Sequence, residues 1–228
     1  MKNMIQGKVI LNTMPSKHRK NIEDICNGWI EALQRYENSY PGRDSIHWYN
    51  ERACIGALSA GIWIKGGITL EEYQSTKLIG SKKDSLPKYG RVDLYFQIDS
   101  KRNKCSSTLV AICEAKLRWL CTSQRAKKHV IVDRIKSTLN NAAKDSENSF
   151  NGGNEHITLA VSFFPTYRKG DPDENVLVFI EETLESLESK WSEGRAIAKF
   201  TTSVDLKSSN DNICNEIYMV VEYKNMQR

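Results

Sequence analysis

The chain has 228 residues, of which 39% are hydrophobic and 27% charged, with a net charge of +5. This is the composition of a soluble globular protein long enough to bury a core without staples. No run of about 18 apolar residues is present, which argues against a membrane-spanning helix. Residues 1–8 lack the apolar stretch and cleavage site of a secretory signal, so none is expected there.

Taken in chain order, residues 17–38 read as a helix, with Ile22, Ile25, Ile30, Leu33 and Tyr36 at near-helical spacing. Tyr40-Pro41-Gly42 ends it. A second helix is predicted over 45–63, capped by Asp44 or Ser45. Its small residues Ala53, Gly56, Ala57, Ala60 and Gly61 permit close packing against a sheet. Gly66-Gly67 stops it, 68–70 suits a short strand, and 77–89 is a basic loop or short strand containing Pro87. A hairpin follows, over 91–99 and 109–116. A third helix spans 123–146, with Ile131, Ile135, Leu139 and Ala142 on one stripe. Residues 151–154 form a loop and 156–164 a strand. A helix over 176–191 presents Glu181, Glu182, Glu185 and Glu188 on an outer face, and strands over 196–204 and 216–223 complete the chain. The order predicts an α/β fold with a central mixed sheet flanked by helices in three layers, as a single domain over residues 1–228.

The hairpin carries the chemistry. Centred between Asn103 and Lys104, it sets Leu94 opposite Cys113, Phe96 opposite Ala111, Ile98 opposite Leu109 and Asp93 opposite Glu114. Alternation brings Asp93, Glu114 and Lys116 out on one face. Two carboxylates roughly 5 Å apart repel unless a cation lies between them or one is protonated. An all-oxygen site suits Mg²⁺. The same register sets Arg91 against Lys116, a like-charge pair that needs nearby carboxylates. Five acid-x-Lys triplets occur in the chain: Asp99-Ser100-Lys101, Glu114-Ala115-Lys116, Glu188-Ser189-Lys190, Asp205-Leu206-Lys207 and Glu222-Tyr223-Lys224. Only Glu114-Ala115-Lys116 ends an apolar strand, faces a carboxylate across a hairpin and precedes a helix.

Asp93 followed by Glu114-Ala115-Lys116, in a helix–strand–hairpin–helix–strand layout over about 44–164, resembles the PD-(D/E)XK nuclease superfamily. Val92 stands where the name-giving proline would be. The resemblance implies a restriction-endonuclease-like fold and a metal-dependent endonuclease, with Asp93, Glu114 and the Ala115 carbonyl holding Mg²⁺ or Mn²⁺. Lys116 would orient or activate the attacking water. Glu51 shares a helical stripe with Trp48, Ile55, Leu58 and Ile62, and an inward Glu needs a cation or a hydrogen-bond partner. Members of the family often complete the metal site with an acid from this helix, so Glu51 is a further catalytic and metal-binding candidate, ahead of Glu71 and Glu72. The third helix offers Gln124 and Lys128 as candidate nucleic-acid contacts, with Lys127 and Arg134 beside them.

Residues 76–136 hold 15 Lys and Arg against 5 Asp and Glu, a basic surround suited to a polyanion. Six cysteines without a CxxC pair read as structural residues in a reducing cytoplasm rather than as disulfide or zinc ligands. The four histidines have no metal-binding or triad spacing, and no phosphate-binding GxxxxGK[ST] loop is present. Trp119, beside Arg118, suits a core position better than a base-stacking one. The expected partner is nucleic acid, DNA ahead of RNA on family grounds alone, with a homodimer compatible with double-strand cutting. A non-cleaving nucleic-acid-binding or interaction module and an RNA-cleaving nuclease stay open as alternatives.

Overall fold

The computed structural model describes residues 7–79, 86–102, 105–149, 156–171, 173–187, 192–203, 205–208 and 210–224. Long strands form only if neighbours satisfy their backbone groups, and here they do so in one mixed sheet. Its strands are β1 (Gly7–Asn12), β2 (Ile68–Ile79), β3 (Leu86–Arg102), β4 (Cys105–Leu117), β5 (Leu120–Cys121), β6 (Ile157–Tyr167), β7 (Gly194–Thr201) and β8 (Glu216–Tyr223). The order is β1-β7-β8-β6-β4-β3-β2, with β5 against β6. β4 and β6 run parallel, and the remaining neighbours on the main path are antiparallel. A parallel pair needs a crossover, which α3 (Lys128–Ser149) supplies.

Helices α1 (Ser16–Ser39) and α2 (Glu51–Ile64) cover one face, burying Ile22, Trp29, Leu58 and Ile62 against Leu94, Phe96, Ala111 and Cys113. The other face is covered by α3 and α4 (Glu174–Ser186), through Ile131, Ile135, Leu139, Ile180 and Leu184 against Phe164, Ile197 and Val220. The result is a three-layer α/β molecule. Among the described residues no helix is long and apolar enough to cross a membrane.

The sequence expectations meet this structure unevenly. Leu94↔Cys113, Phe96↔Ala111 and Ile98↔Leu109 pair as predicted. β2 is much longer than a three-residue strand and pairs with β3 through Lys77↔Lys88, so most of the expected basic loop is sheet. The second helix begins later than predicted: Ile46–Trp48 is a 3₁₀ turn, and Asn50, not Asp44 or Ser45, caps α2 by accepting from Ala53 N–H at 3.1 Å. The third helix also starts later, at Lys128, which leaves Gln124 in the turn before it. β1 was not anticipated; it pairs with β7 at the sheet edge. Glu181 is not on a solvated acidic face, since it accepts from Lys199 Nζ at 2.8 Å and from the Tyr218 hydroxyl at 3.2 Å. Gly61 of α2 serves a helix: a Cβ there would sit 2.5 Å from the backbone of Gly28 and Trp29 in α1. Residues 151–154, the hairpin centre at Asn103 and Lys104, and Glu188 lie outside the described residues.

Free thiols behave as the composition suggests. Burial pushes Cys26 and Cys54 up to about 12, and Cys113 well above its ordinary value, so these groups are neutral core residues rather than ligands.

Candidate active site at the end of β4

Four elements converge where β4 ends. The β3–β4 ladder stops at Leu94↔Cys113. One step further, the side chain of Asp93 replaces a backbone carbonyl: its Oδ2 accepts the Ala115 N–H at 2.7 Å. Two residues on, Glu51 at the first position of α2 makes the matching contact, with Oε2 accepting the Leu117 N–H at 2.9 Å. The last turns of β4 backbone are thus held by carboxylates from two different elements. The second oxygens of Asp93 and Glu51 have no hydrogen-bond partner among the described residues.

Lys116 lies between these two contacts. Its Nζ pairs with Asp145 Oδ2 of α3 at 2.8 Å, both side chains being partly exposed. Burial draws the Lys116 ammonium down, but the hydrogen bond to Asp145 and the charges of Asp145, Glu51 and Asp93 outweigh it, and the net shift is upward. Lys116 is therefore a fixed cation at neutral pH. Burial pushes the Glu51 carboxyl up from its ordinary value, and Asp93 and Asp145 add to this against the opposing pull of Lys116 and the Leu117 N–H. The charges of Asp145, Glu51 and Asp93 all act on the one ammonium, which leaves the cluster with excess negative charge.

Glu114 is not set directly opposite Asp93 as expected. It is 3% exposed, and its Oε1 accepts from the Ser149 hydroxyl at the end of α3. The regular Asp93↔Glu114 pair is not formed, because the ladder ends one residue short of it. The anticipated clash of Arg91 with Lys116 is also absent. Arg91 pairs with Gln74 across β2 and donates to Glu72 at 3.1 Å. Glu72, with Arg52 on its other oxygen at 2.7 Å, is spent on exposed arginines and is no rival to Glu51. Gln124 is exposed, and the Lys128 ammonium lies 4.7 Å over the Phe179 ring of α4. Neither shares a hydrogen bond or ion pair with the Lys116 cluster among the described residues.

Among the described residues no three His, Cys, Asp or Glu side chains are close enough together to cage a metal. The donor set still fits a hard cation of the Mg²⁺ kind. Such an ion keeps several waters and is bound through one or two carboxylates plus substrate oxygens, not through a dedicated cage. Asp93 and Glu51 provide that minimum.

Asp145 and Ser149 were not among the sequence candidates. Their signal lay in the α3 stripe, which continues beyond Ala142 in polar residues. Ser146 and Ser149 are both buried, and a buried hydroxyl on an apolar stripe demands an acceptor. Ser146 finds the Leu159 carbonyl at 3.0 Å, and Ser149 finds Glu114. Trp119 is likewise not a core residue. It is half-exposed and lines a cavity with Arg118. No protein-family model matches this chain, and comparison with curated proteins and with solved structures gives no significant match.

Proposed function

We propose that the protein is a metal-dependent nuclease of restriction-endonuclease-like fold that hydrolyses phosphodiester bonds, with DNA as its substrate. The observation that carries this reading is the convergence of Asp93, Glu51 and Asp145 on Lys116 at the end of β4. Three carboxylates against one fixed ammonium make a site that gains from a divalent cation and a phosphate together, each neutralising the other's charge.

Each residue then has a role. Asp93 and Glu51, anchored by one oxygen apiece to the β4 backbone, present the other oxygen to the metal. The carbonyl of Ala115, the residue whose N–H Asp93 holds, is a third candidate donor. When bound, the cation lowers the pKa of a coordinated water and offsets charge developing on the phosphoryl oxygens. Lys116, held protonated by its carboxylate neighbours, positions that water and a phosphoryl oxygen by donating to them; it is not a base. Asp145 aims Lys116 and is a positioning residue. Glu114, tied to Ser149, holds β4 against α3 and would be a further carboxylate available to the cation. Mg²⁺ and Mn²⁺ are the fitting ions.

The test is incubation of the wild-type protein with supercoiled plasmid, single-stranded DNA and RNA in Mg²⁺, Mn²⁺ or EDTA. Divalent-dependent cleavage that disappears in Asp93→Ala is expected. Absence of cleavage of every substrate, with a folded protein, would favour the non-cleaving module instead. Cleavage of RNA alone would reassign the substrate and leave the site intact.

A further inference from the structure

Beside the Lys116 cluster lies a cavity of about 750 Å³ that the proposed chemistry does not use. Its walls come from the segments that flank the two key residues. Trp48 and Tyr49 stand just before the α2 cap and Glu51, while Leu117, Arg118 and Trp119 follow Lys116 directly. Tyr167 at the end of β6 closes the side, its ring centroid 6.3 Å from that of Trp119 at an interplanar angle of 69°. An aromatic corner of this kind leaves a ring-shaped slot with one face to stack on and one edge to abut.

The polar groups of the cavity point to the same ligand. Arg134 lines the same wall and donates to the Trp119 carbonyl at 3.2 Å, which fixes a guanidinium beside the rings. Lys207, on the segment after β7, adds an exposed cation at the far rim. Aromatic faces serve bases, cations serve phosphates, and a site that has both binds unpaired nucleotides. A paired base inside a duplex has neither face available.

We infer that this cavity holds an unstacked nucleobase of a single-stranded or locally opened strand, with its phosphate directed toward Lys116. Arg134 and Lys207 would contact the neighbouring phosphates. The inference rests on the nuclease reading for the identity of the ligand, and it makes the enzyme one that acts at single-stranded ends, flaps or flipped nucleotides instead of within intact duplex.

The test is equilibrium binding in EDTA, where no cleavage occurs. Tryptophan fluorescence is followed while a short oligothymidylate, a blunt duplex of matched sequence or inorganic phosphate is added. The oligothymidylate is expected to quench the fluorescence and to bind more tightly than the duplex, with phosphate a poor competitor. Tyr49→Ala, at a residue 54% exposed, and Trp119→Ala are each expected to weaken oligothymidylate binding by about 5- to 100-fold, the range of one lost base stack. Val178→Ala, at an exposed position of α4 away from the cavity, is expected to leave it unchanged. Equal affinity of both aromatic variants and wild type, tighter binding of the duplex, or competition by phosphate as strong as by the oligonucleotide would each overturn the assignment. If Asp93-dependent cleavage is present but the aromatic variants bind normally, the cavity assignment alone falls. If they bind as expected and no substrate is ever cleaved, the nuclease reading falls and the cavity stands.

Discussion

Lys116 is bracketed by more negative charge than it neutralises, and the consequence is clearest at Glu51. Burial raises the Glu51 carboxyl above its ordinary value. The folded state thus holds that proton more tightly than the unfolded chain. The stability due to this group is present at low pH and is lost as pH rises from the ordinary glutamate range through the raised folded value. At neutral pH the ionised side chain is a liability kept for chemistry. Glu51→Gln retains an oxygen for the Leu117 N–H. It is expected to raise the melting temperature at neutral pH by a few degrees at most and to reduce cleavage by about a hundredfold or more. Calorimetric melting and plasmid cleavage check the two halves. The pH profile of the wild type carries the same sign. Divalent-cation affinity falls as pH drops through the raised value of metal-free Glu51, so its acid limb lies above the ordinary glutamate range and moves in variants that remove Asp145. A limb in the ordinary range would contradict the crowding of carboxylates at this site.

At the scale of elements, the site depends on where α2 begins. Asn50 caps it and sets Glu51 in the first turn. Loss of a cap costs about 1 kcal/mol, and here it also frees the residue that reaches β4. Asn50→Ala is expected to lower stability by about that amount and to reduce turnover more than substrate binding, read from denaturant midpoints and steady-state kinetics. The α1–α2 contact at Gly28 and Gly61 sets the height of the same helix over the sheet. Gly61→Ala forces backbone apart and is expected to cost about 1–3 kcal/mol by overpacking, shifting the melting temperature by several degrees. A neutral result there would show that the helices are not in contact as described.

Comparison of these elements with the sequence shows what local patterns can carry. The β3–β4 register was legible because alternation fixes which face each side chain takes, and a one-residue slip would have put Phe96 and Leu94 in water. The start of α2 was not legible, since Asp44, Ser45 and Asn50 are all cap-competent and only the 3₁₀ turn decides among them. The extent of β2 was hidden by its polar run Glu71 to Lys77, which suits a loop as well as a strand. Glu51 was legible from its stripe. The polar continuation of the α3 stripe marked buried hydroxyls, but the partners of Asp145 and Ser149, Lys116 and Glu114, lie on a strand about 30 residues away and were not legible from it. The ending of the ladder before Asp93, which separates Glu114 from Asp93, is also a tertiary effect.

At the scale of the molecule, charge is partitioned. The segment 76–136 holds 15 Lys and Arg against 5 Asp and Glu, and it contains β3, β4 and the start of α3, the elements that frame the site. On the opposite flank, Arg195 and Glu222 form a buried pair at 2.7 Å, with the guanidinium also donating to Leu184 and Leu187 at the end of α4. That pair holds the β7–β8–α4 side together and has no access to a polyanion. Nucleic-acid binding should therefore be electrostatic and one-sided. With two to four phosphates neutralised, affinity is expected to drop by about 10- to 100-fold between about 50 and 200 mM salt, measured by fluorescence anisotropy. An affinity indifferent to salt would detach the basic segment from binding.

The central claim is that the Lys116 cluster performs phosphodiester hydrolysis. It is tested most directly by single-turnover cleavage, in Mg²⁺, of a labelled DNA carrying a single-stranded tail, with wild type and Lys116→Ala compared at matched folded concentration. Divalent-dependent cleavage by the wild type is expected, with a rate lower by about a hundred- to a thousandfold in the variant, the loss of one preorganised cationic donor. A Lys116→Ala variant that folds and cleaves at the wild-type rate would contradict it.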